Sequence, residues 1–432
     1  MSERPLVLAR RLGAFDAAMI VMGGMVGAGI FVNPSVVARE VPAASLTLLA
    51  WLAGGAIALL GAFLYAELAA RCPEAGGQYA YLREAWHPLL GFLYGWTLLL
   101  VTGSGGQAAV AMTFARYLKV LAGFAVPDGA VAVATLAGVA AVNLLGVRAG
   151  GTLQSALMVV KVAAIGFLVV AGLLAAPAKL VSAAPAAGGL LPAFGAALVP
   201  VFFAYGGYQN TGFAAEELRD PKRDLPRGLL WGVSLVILLY LSVSWVCVRV
   251  LGAAGLAATP TPASDVITGA LGSAGGRLIA LGIALSTLGF LSHGVLTVPR
   301  AYFAMARDGV FFRGVAKVSP RTRVPSIAIL MQGTVAAAIT LSGRYEEILG
   351  YVMSVDALFF TATGAALFVL RRRGGPAPRV QMPGHPATTL VFVGACLAVA
   401  VSAWIRYPAN AAAGLGLLLS GVPAYLFWTR KR

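Results

Sequence analysis

Met22-Gly23-Gly24-Met25-Val26-Gly27-Ala28-Gly29-Ile30-Phe31 is the stretch that decides how this chain folds. It lies inside the first long apolar run, residues 13–38, yet holds four glycines between positions 23 and 29. Each glycine weakens a helix interior by about 1 kcal/mol relative to alanine, so the cluster predicts an interrupted helix. A second cluster, Phe202-Phe203-Ala204-Tyr205-Gly206-Gly207-Tyr208-Gln209-Asn210-Thr211-Gly212, places three glycines and a polar run in the middle of a later apolar segment. Gly27 and Gly206 are 179 residues apart, and each interruption opens a block of five apolar runs. Paired interruptions at corresponding positions of two halves point to a transporter built from inverted repeats, with its substrate site at the breaks.

The composition agrees with a bilayer. The 432 residues are 59% hydrophobic and 11% charged, against about 25% charge in soluble domains. Apolar runs between breakers give spans at 13–38, 44–71, 87–121, 129–147, 150–175, 191–217, 227–251, 275–305, 325–342, 345–370, 386–405 and 409–428. At ~20 residues per span these use most of the chain. No segment remains for an ATPase or kinase domain, so energy must come from gradients or exchange. The expected fold is an all-α polytopic membrane protein of about twelve helices. A five-helix repeat over 13–175 and an inverted one over 191–371 carry broken helices 1 and 6, and two extra helices follow at 386–428. Residues 1–12 and 429–432 are the tails.

Charge sets the orientation. With both termini in the cytoplasm, 23 of the 32 basic residues fall on inside segments, eight fall outside, and Lys161 lies within a span. That asymmetry satisfies the positive-inside rule for a multi-pass protein of the cell inner (plasma) membrane. The net charge of +16 is loop bias facing an anionic leaflet. It is not a nucleic-acid footprint, because no basic stripe with interleaved aromatics exists outside the turns. The apolar stretch after the basic N-terminus (Arg4, Arg10, Arg11) lacks a small-residue cleavage site and reads as a retained span. Cys72, Cys247 and Cys396 are too widely spaced for a disulfide framework or a zinc site.

The breaks have a direct chemical reading. An unwound turn in lipid exposes backbone groups that lipid cannot satisfy, so it survives only where it lines a cavity. A half-helix restarting near Ala28 offers free N–H groups and a positive dipole end, which suit a carboxylate. Half-helices ending near Met25 and near Ala204 offer free carbonyls, which suit an ammonium. Together they fit a zwitterionic α-amino acid. Close helix packing through small residues explains spaced glycines, but not two clusters at matching positions.

These residues carry a family resemblance. Gly24-Met25-Val26-Gly27-Ala28-Gly29-Ile30-Phe31 resembles the first-span signature of the amino acid–polyamine–organocation superfamily. Pro73-Glu74-Ala75-Gly76-Gly77-Gln78-Tyr79-Ala80-Tyr81 resembles its loop between spans two and three. Phe203-Ala204-Tyr205-Gly206-Gly207, then Glu216-Glu217 and Asp220-Pro221-Lys222-Arg223-Asp224-Leu225-Pro226, is similar to the L-type amino acid transporter branch. The resemblance runs from about residue 12 to the Pro383-Gly384-His385-Pro386 turn. It implies substrate held between spans 1 and 6, with carboxylate contact on the backbone of Gly27, Ala28 and Gly29. It places ammonium contact on the carbonyls of Met25, Phe203, Ala204 and Gly206, and Phe203 as an aromatic lid. Ala28 stands where the pattern usually has Ser, and Tyr208-Gln209 where the L-type branch commonly has Trp-Asn.

Two charges lie deep in the spans. Lys161 is at least eleven residues from either end of the fifth run, ~17 Å at 1.5 Å per residue, beyond the reach of a snorkelling side chain. The resemblance puts it where sodium-coupled relatives hold a cation. There its ammonium would tie the first break to span eight, where Ser286, ahead of Thr287, is the matching hydroxyl. Asp356 lies near the centre of span ten, where the L-type pattern more often has Asn. It is read as a proton site or a selectivity site, with a structural hydrogen bond as the third reading. His293 reads as a packing residue, Glu67 and Glu216/Glu217 as loop-pairing groups, and Tyr79, Tyr81 and Trp86 as interfacial anchors on a short helix.

The sequence holds no catalytic triad, phosphate loop or metal-ligand cluster, so neither an enzyme nor a cofactor is expected. A channel would need a polar stripe along several spans. The expected function is a secondary α-amino acid transporter working by alternating access, sodium-independent, as exchanger or proton symporter. The alternative is a polyamine or other organic-cation permease of the same fold, favoured by Asp356. The expected partners are the substrate and the lipid bilayer, and no obligate protein partner is evident.

Overall fold

The computed structural model describes residues 12–41, 43–73, 76–123, 125–178, 189–342 and 345–430. The basic N-terminal arginines, Glu74-Ala75 of the loop motif, Lys179, Arg344 and the last two residues lie outside the described residues, as does the side chain of Glu216. Among the described residues the regular elements are helices, joined by short loops and turns, apart from one isolated parallel bridge between Leu12 and Leu218.

The first span is broken where the glycines stand. Helix α1 (Ala14–Met25) and helix α2 (Gly29–Glu40) meet at a 46° bend. Helix α3 (Ala44–Arg71) is continuous, and α4 (Gln78–Ala85) is the short helix expected after it. The third span comprises α5 (Pro88–Thr97), a π-helical turn at Leu98–Thr102, and α6 (Gly103–Ala122). Helices α7 (Asp128–Leu144) and α8 (Val147–Leu174) complete the first half. The sixth span is α9 (Leu190–Tyr205), which leaves α-helical geometry at Gly206 and continues as a 3-10 segment, Tyr208–Glu217.

Next come α10 (Pro221–Ala258), α11 (Pro262–Thr297), α12 (Pro299–Arg307), α13 (Ser326–Ser342) and α14 (Tyr345–Arg372). The chain ends on α15 (Ala387–Arg406), α16 (Pro408–Leu419) and α17 (Gly421–Arg430). The stretch expected to be a loop, 252–274, is mostly helical. The backbone departs from helix at Gly252 (φ 67°) and Gly272 (φ 70°), close to the expected span ends, and apolar helical extensions fill the space between.

Among the described residues nine helical segments are long and apolar enough to cross a membrane, ten when the bent first pair is counted as one span. Two shorter apolar helices, Asp128–Leu144 and Ser326–Leu341, accompany them. The outer surface carries exposed Leu174, Val170, Trp231, Leu238 and Ile405, a face suited to lipid tails rather than water.

Packing holds the broken span in the middle. Helix α10 runs along α3 and α1, while α11 runs along α8 and α6. Gly228 and Gly232, one turn apart on α10, let its backbone lie against Ala17 and Val21 of α1, close approach through small residues of the kind that drives helix association in lipid. Trp51 of α3, Tyr205 of α9 and Tyr240 of α10 form a mutual ring cluster with centroids 5.1–5.8 Å apart. Such pairs contribute about 0.5–1.5 kcal/mol each beyond area burial, and they fix the end of α9 just before it breaks.

Candidate functional site

The two interruptions meet. Gly207 has φ 109°, a left-handed conformation that favours glycine. Its α-carbon lies so close to the carbonyl of Gly24 that an added methyl would overlap it. Gly24 is boxed in reciprocally by Gly207 and by the imidazole of His293. Asn33 of α2 donates through Nδ2 to the carbonyl of Pro200 in α9 at 2.8 Å, a second tie between the broken helices.

A cavity of about 820 Å³, including space open to solvent, lies at this meeting point. All seven residues expected to bind substrate line it: Met25, Gly27, Ala28, Gly29, Phe203, Ala204 and Gly206. Asp356 lines it too. Lys161 and Ser286 do not appear on its wall; they sit behind the first break.

The carbonyls at the end of α1 are already engaged. Lys161, buried in α8, donates from Nζ to the carbonyls of Gly23 (3.2 Å) and Val26. Tyr240 donates its hydroxyl to the carbonyl of Met25 at 2.7 Å. The Gly24 carbonyl lies against Gly207. A helix end inside lipid needs such partners, and this one finds them from α8 and α10. A carbonyl accepts twice, so the Met25 oxygen retains accepting capacity beside the Tyr240 bond.

At the second break, Gly206 N–H closes onto the Phe203 carbonyl at 3.1 Å, and Gly207 N–H donates to Gln209 Oε1 at 2.8 Å. At the restart of the first span, α2 begins from Ala28, whose methyl side chain cannot cap the first turn, so the leading N–H groups keep their anion-binding character.

The lysine geometry differs in one respect from expectation. Ser286 is buried, but its Oγ has no hydrogen-bond partner among the described residues, and Thr287 donates to Ala284 of its own helix. Span eight meets Lys161 by packing instead. Gly289 lies against the lysine stem, where a methyl group would collide with Cε.

Several wall residues were invisible to sequence reasoning. Phe290 of α11 faces Gly27, its ring 3.0 Å from where a methyl on that glycine would sit. Leu98 and Thr102 bring the π turn onto the wall, followed by Gly103 and Gly106. Such turns occur mostly at functional positions in helices. The run Gly103-Ser104-Gly105-Gly106 was the available signal. Asn210 also lines the cavity, and its Oδ1 has no partner among the described residues.

The residues beside the core correct one expectation and support others. Tyr79 and Tyr81 are buried rather than interfacial, because α4 folds back into the bundle. The Tyr79 hydroxyl donates to Asp308 Oδ2 at 2.7 Å, and burial with that carboxylate beside it pushes the phenol well above its usual range. Trp86 remains exposed. Glu67 pairs with Arg71 and Arg371 and accepts from the Met382 N–H. Glu217 forms a buried ion pair with Arg300. His293 is a buried packing residue whose Nε2 lies 3.4 Å from Thr297 Oγ1.

An all-helical membrane bundle whose central cavity is walled by two helix interruptions defines a polytopic membrane transporter. The sequence profile described as amino acid permease matches residues 12–422. Similar proteins include the serine/threonine exchanger SteT of Bacillus subtilis, 28% identical over 98% of both chains. They also include the uncharacterised transporter Rv1999c of Mycobacterium tuberculosis, 33% identical over 98% of this chain and 92% of that one. The human large neutral amino acids transporter small subunit 2 is 28% identical over 99% of this chain and 82% of its own. The chain belongs to the amino acid permease family, within the amino acid–polyamine–organocation superfamily, a family of transporters rather than enzymes.

Proposed function

We propose that this protein moves α-amino acids across the membrane by alternating access, without sodium, as an exchanger or proton symporter of the L-type branch. The observation that carries this reading is the gathering of Met25, Gly27, Ala28, Gly29, Phe203, Ala204 and Gly206, from two interruptions 179 residues apart, on one cavity. The α-carboxylate docks on the free N–H groups from Gly27 to Gly29. The α-ammonium docks on carbonyls of Met25, Phe203, Ala204 and Gly206, and Phe203, half-buried on the wall, covers the substrate.

Sodium independence rests on Lys161, whose ammonium bonds the Gly23 and Val26 carbonyls and so occupies the place of a cation. Exchange and the L-type branch are favoured by the names of the similar proteins from Bacillus subtilis and human. In this reading there are twelve spans: two inverted five-span halves, 13–175 and 191–371, and a final pair over 386–428, with both termini in the cytoplasm of the cell. Each half opens on an interrupted helix. Counterflow of radiolabelled serine, leucine and lysine into proteoliposomes tests the reading. Accumulation driven by internal unlabelled amino acid, with or without sodium, is expected; no counterflow with any α-amino acid would overturn it.

A further inference from the structure

Among the described residues the cavity wall carries one ionisable side chain, the carboxyl group of Asp356. Among the described lining residues there is no lysine, arginine or histidine, and Asp356 is the one acid. Lys161, the buried lysine of α8, has its ammonium committed to the Gly23 and Val26 carbonyls behind the break. No hydrogen bond or ion pair from a described residue reaches Asp356. Its electrostatic neighbours are three tyrosines and a thiol: Tyr65, Tyr94, Tyr208 and Cys396. A carboxylate at membrane depth with no counter-charge is expensive, and such groups are ordinarily paired or functional.

The charge count decides what completes the pair. A zwitterionic substrate satisfies itself: its carboxylate meets the N–H groups of α2 and its ammonium meets the carbonyls of both breaks. It brings no surplus charge, so Asp356 stays unpaired when the cavity closes over it. A substrate with one further cationic group cancels the carboxylate.

Three more observations fit a side-chain cation. Thr102 Oγ1 and Asn210 Oδ1 line the same cavity and have no partner among the described residues, and an ammonium offers three donors. Leu98, Val110 and Phe290 supply apolar wall for methylenes. Gly106 faces open space, with no atom within 4 Å of an added methyl.

Resting on the amino acid reading above, we infer that the cavity selects α-amino acids with a basic side chain, and that Asp356 is the counter-charge for that side chain. Asp356 therefore sets specificity, while the backbone of the two breaks holds the common α-amino and α-carboxyl groups.

The test is competition in proteoliposomes between lysine and norleucine, which shares the linear side chain but lacks its ammonium. Putrescine, two ammonium groups without a carboxylate, is the third competitor. In the wild type, lysine should compete at least about tenfold more strongly than norleucine, a difference of ~1.4 kcal/mol. In Asp356→Asn that preference should vanish while norleucine competition survives, which also shows that the variant is folded. Equal or better competition by norleucine in the wild type overturns the inference and leaves the amino acid reading intact, as does a lysine preference unchanged in Asp356→Asn. Putrescine competing as well as lysine overturns both, because it dispenses with the carboxylate.

Discussion

Gly207 and Gly24, 183 positions apart in the chain, touch backbone to backbone: a methyl on Gly207 would fall on the Gly24 carbonyl. The two helix interruptions are thus one structural unit. Each glycine permits the other, and the cavity exists because neither helix continues through it.

Gly207→Ala should be the most damaging single methyl in the breaks. It meets both a left-handed φ, which costs a non-glycine residue ~1–3 kcal/mol, and the Gly24 carbonyl. Gly206→Ala meets nothing closer than 3.3 Å and Gly29→Ala nothing closer than 3.4 Å, so both should fold and lose transport through a narrowed site. Thermal unfolding in detergent separates the cases: Tm should drop for Gly207→Ala and hold for the other two. Equal Tm values for all three would mean that the Gly24–Gly207 contact is not a structural constraint.

Lys161→Ala should abolish sodium-independent transport. Losing the ammonium leaves the Gly23 and Val26 carbonyls without that donor, at about 1–3 kcal/mol for each buried group left unsatisfied. The first break then loses its fixed geometry. Initial uptake rates should fall at least about tenfold, ~1.4 kcal/mol in barrier, with wild-type uptake indifferent to sodium. Strong sodium stimulation of the wild type, or undiminished uptake by the variant, would count against this role.

The Glu217–Arg300 pair should behave as a buried ion pair, both side chains being 2% exposed. Removing either partner alone leaves a charge without its partner and should destabilise by about 3–5 kcal/mol. Glu217→Met with Arg300→Met should recover much of that loss, since an apolar pair of similar volume needs no desolvation. A double-mutant cycle on unfolding free energy reads this directly. Additive single losses would show that the two charges do not depend on each other.

The parts legible in the sequence are those with a local cause. Four glycines between residues 23 and 29 break a helix whatever surrounds them, and a lysine eleven residues from the end of an apolar run must find partners inside the bundle. What escaped reading depends on packing between distant segments. The Tyr240 bond to Met25 spans 215 residues, and the Asn33 bond to Pro200 spans 167. Phe290 looks like any span residue until Gly27 turns toward it. The π turn at Leu98–Thr102 left its trace in the small residues that follow, but no short motif specifies it. Tyr79 and Tyr81 carry the composition of an interfacial belt; their burial follows from α4 folding back, with Tyr79 bonded to Asp308 and Gln78 to Thr363.

Recognition of the amino acid through backbone atoms of both breaks is most directly tested by ligands that lack one of the two groups. The measurement is inhibition of counterflow in proteoliposomes by a transported amino acid, its amino alcohol and its deaminated acid, side chain held constant. The amino acid should inhibit, and the other two should not at the same concentration, because each leaves one set of backbone groups unmet. Inhibition by either analogue equal to that of the amino acid would contradict binding at the paired breaks.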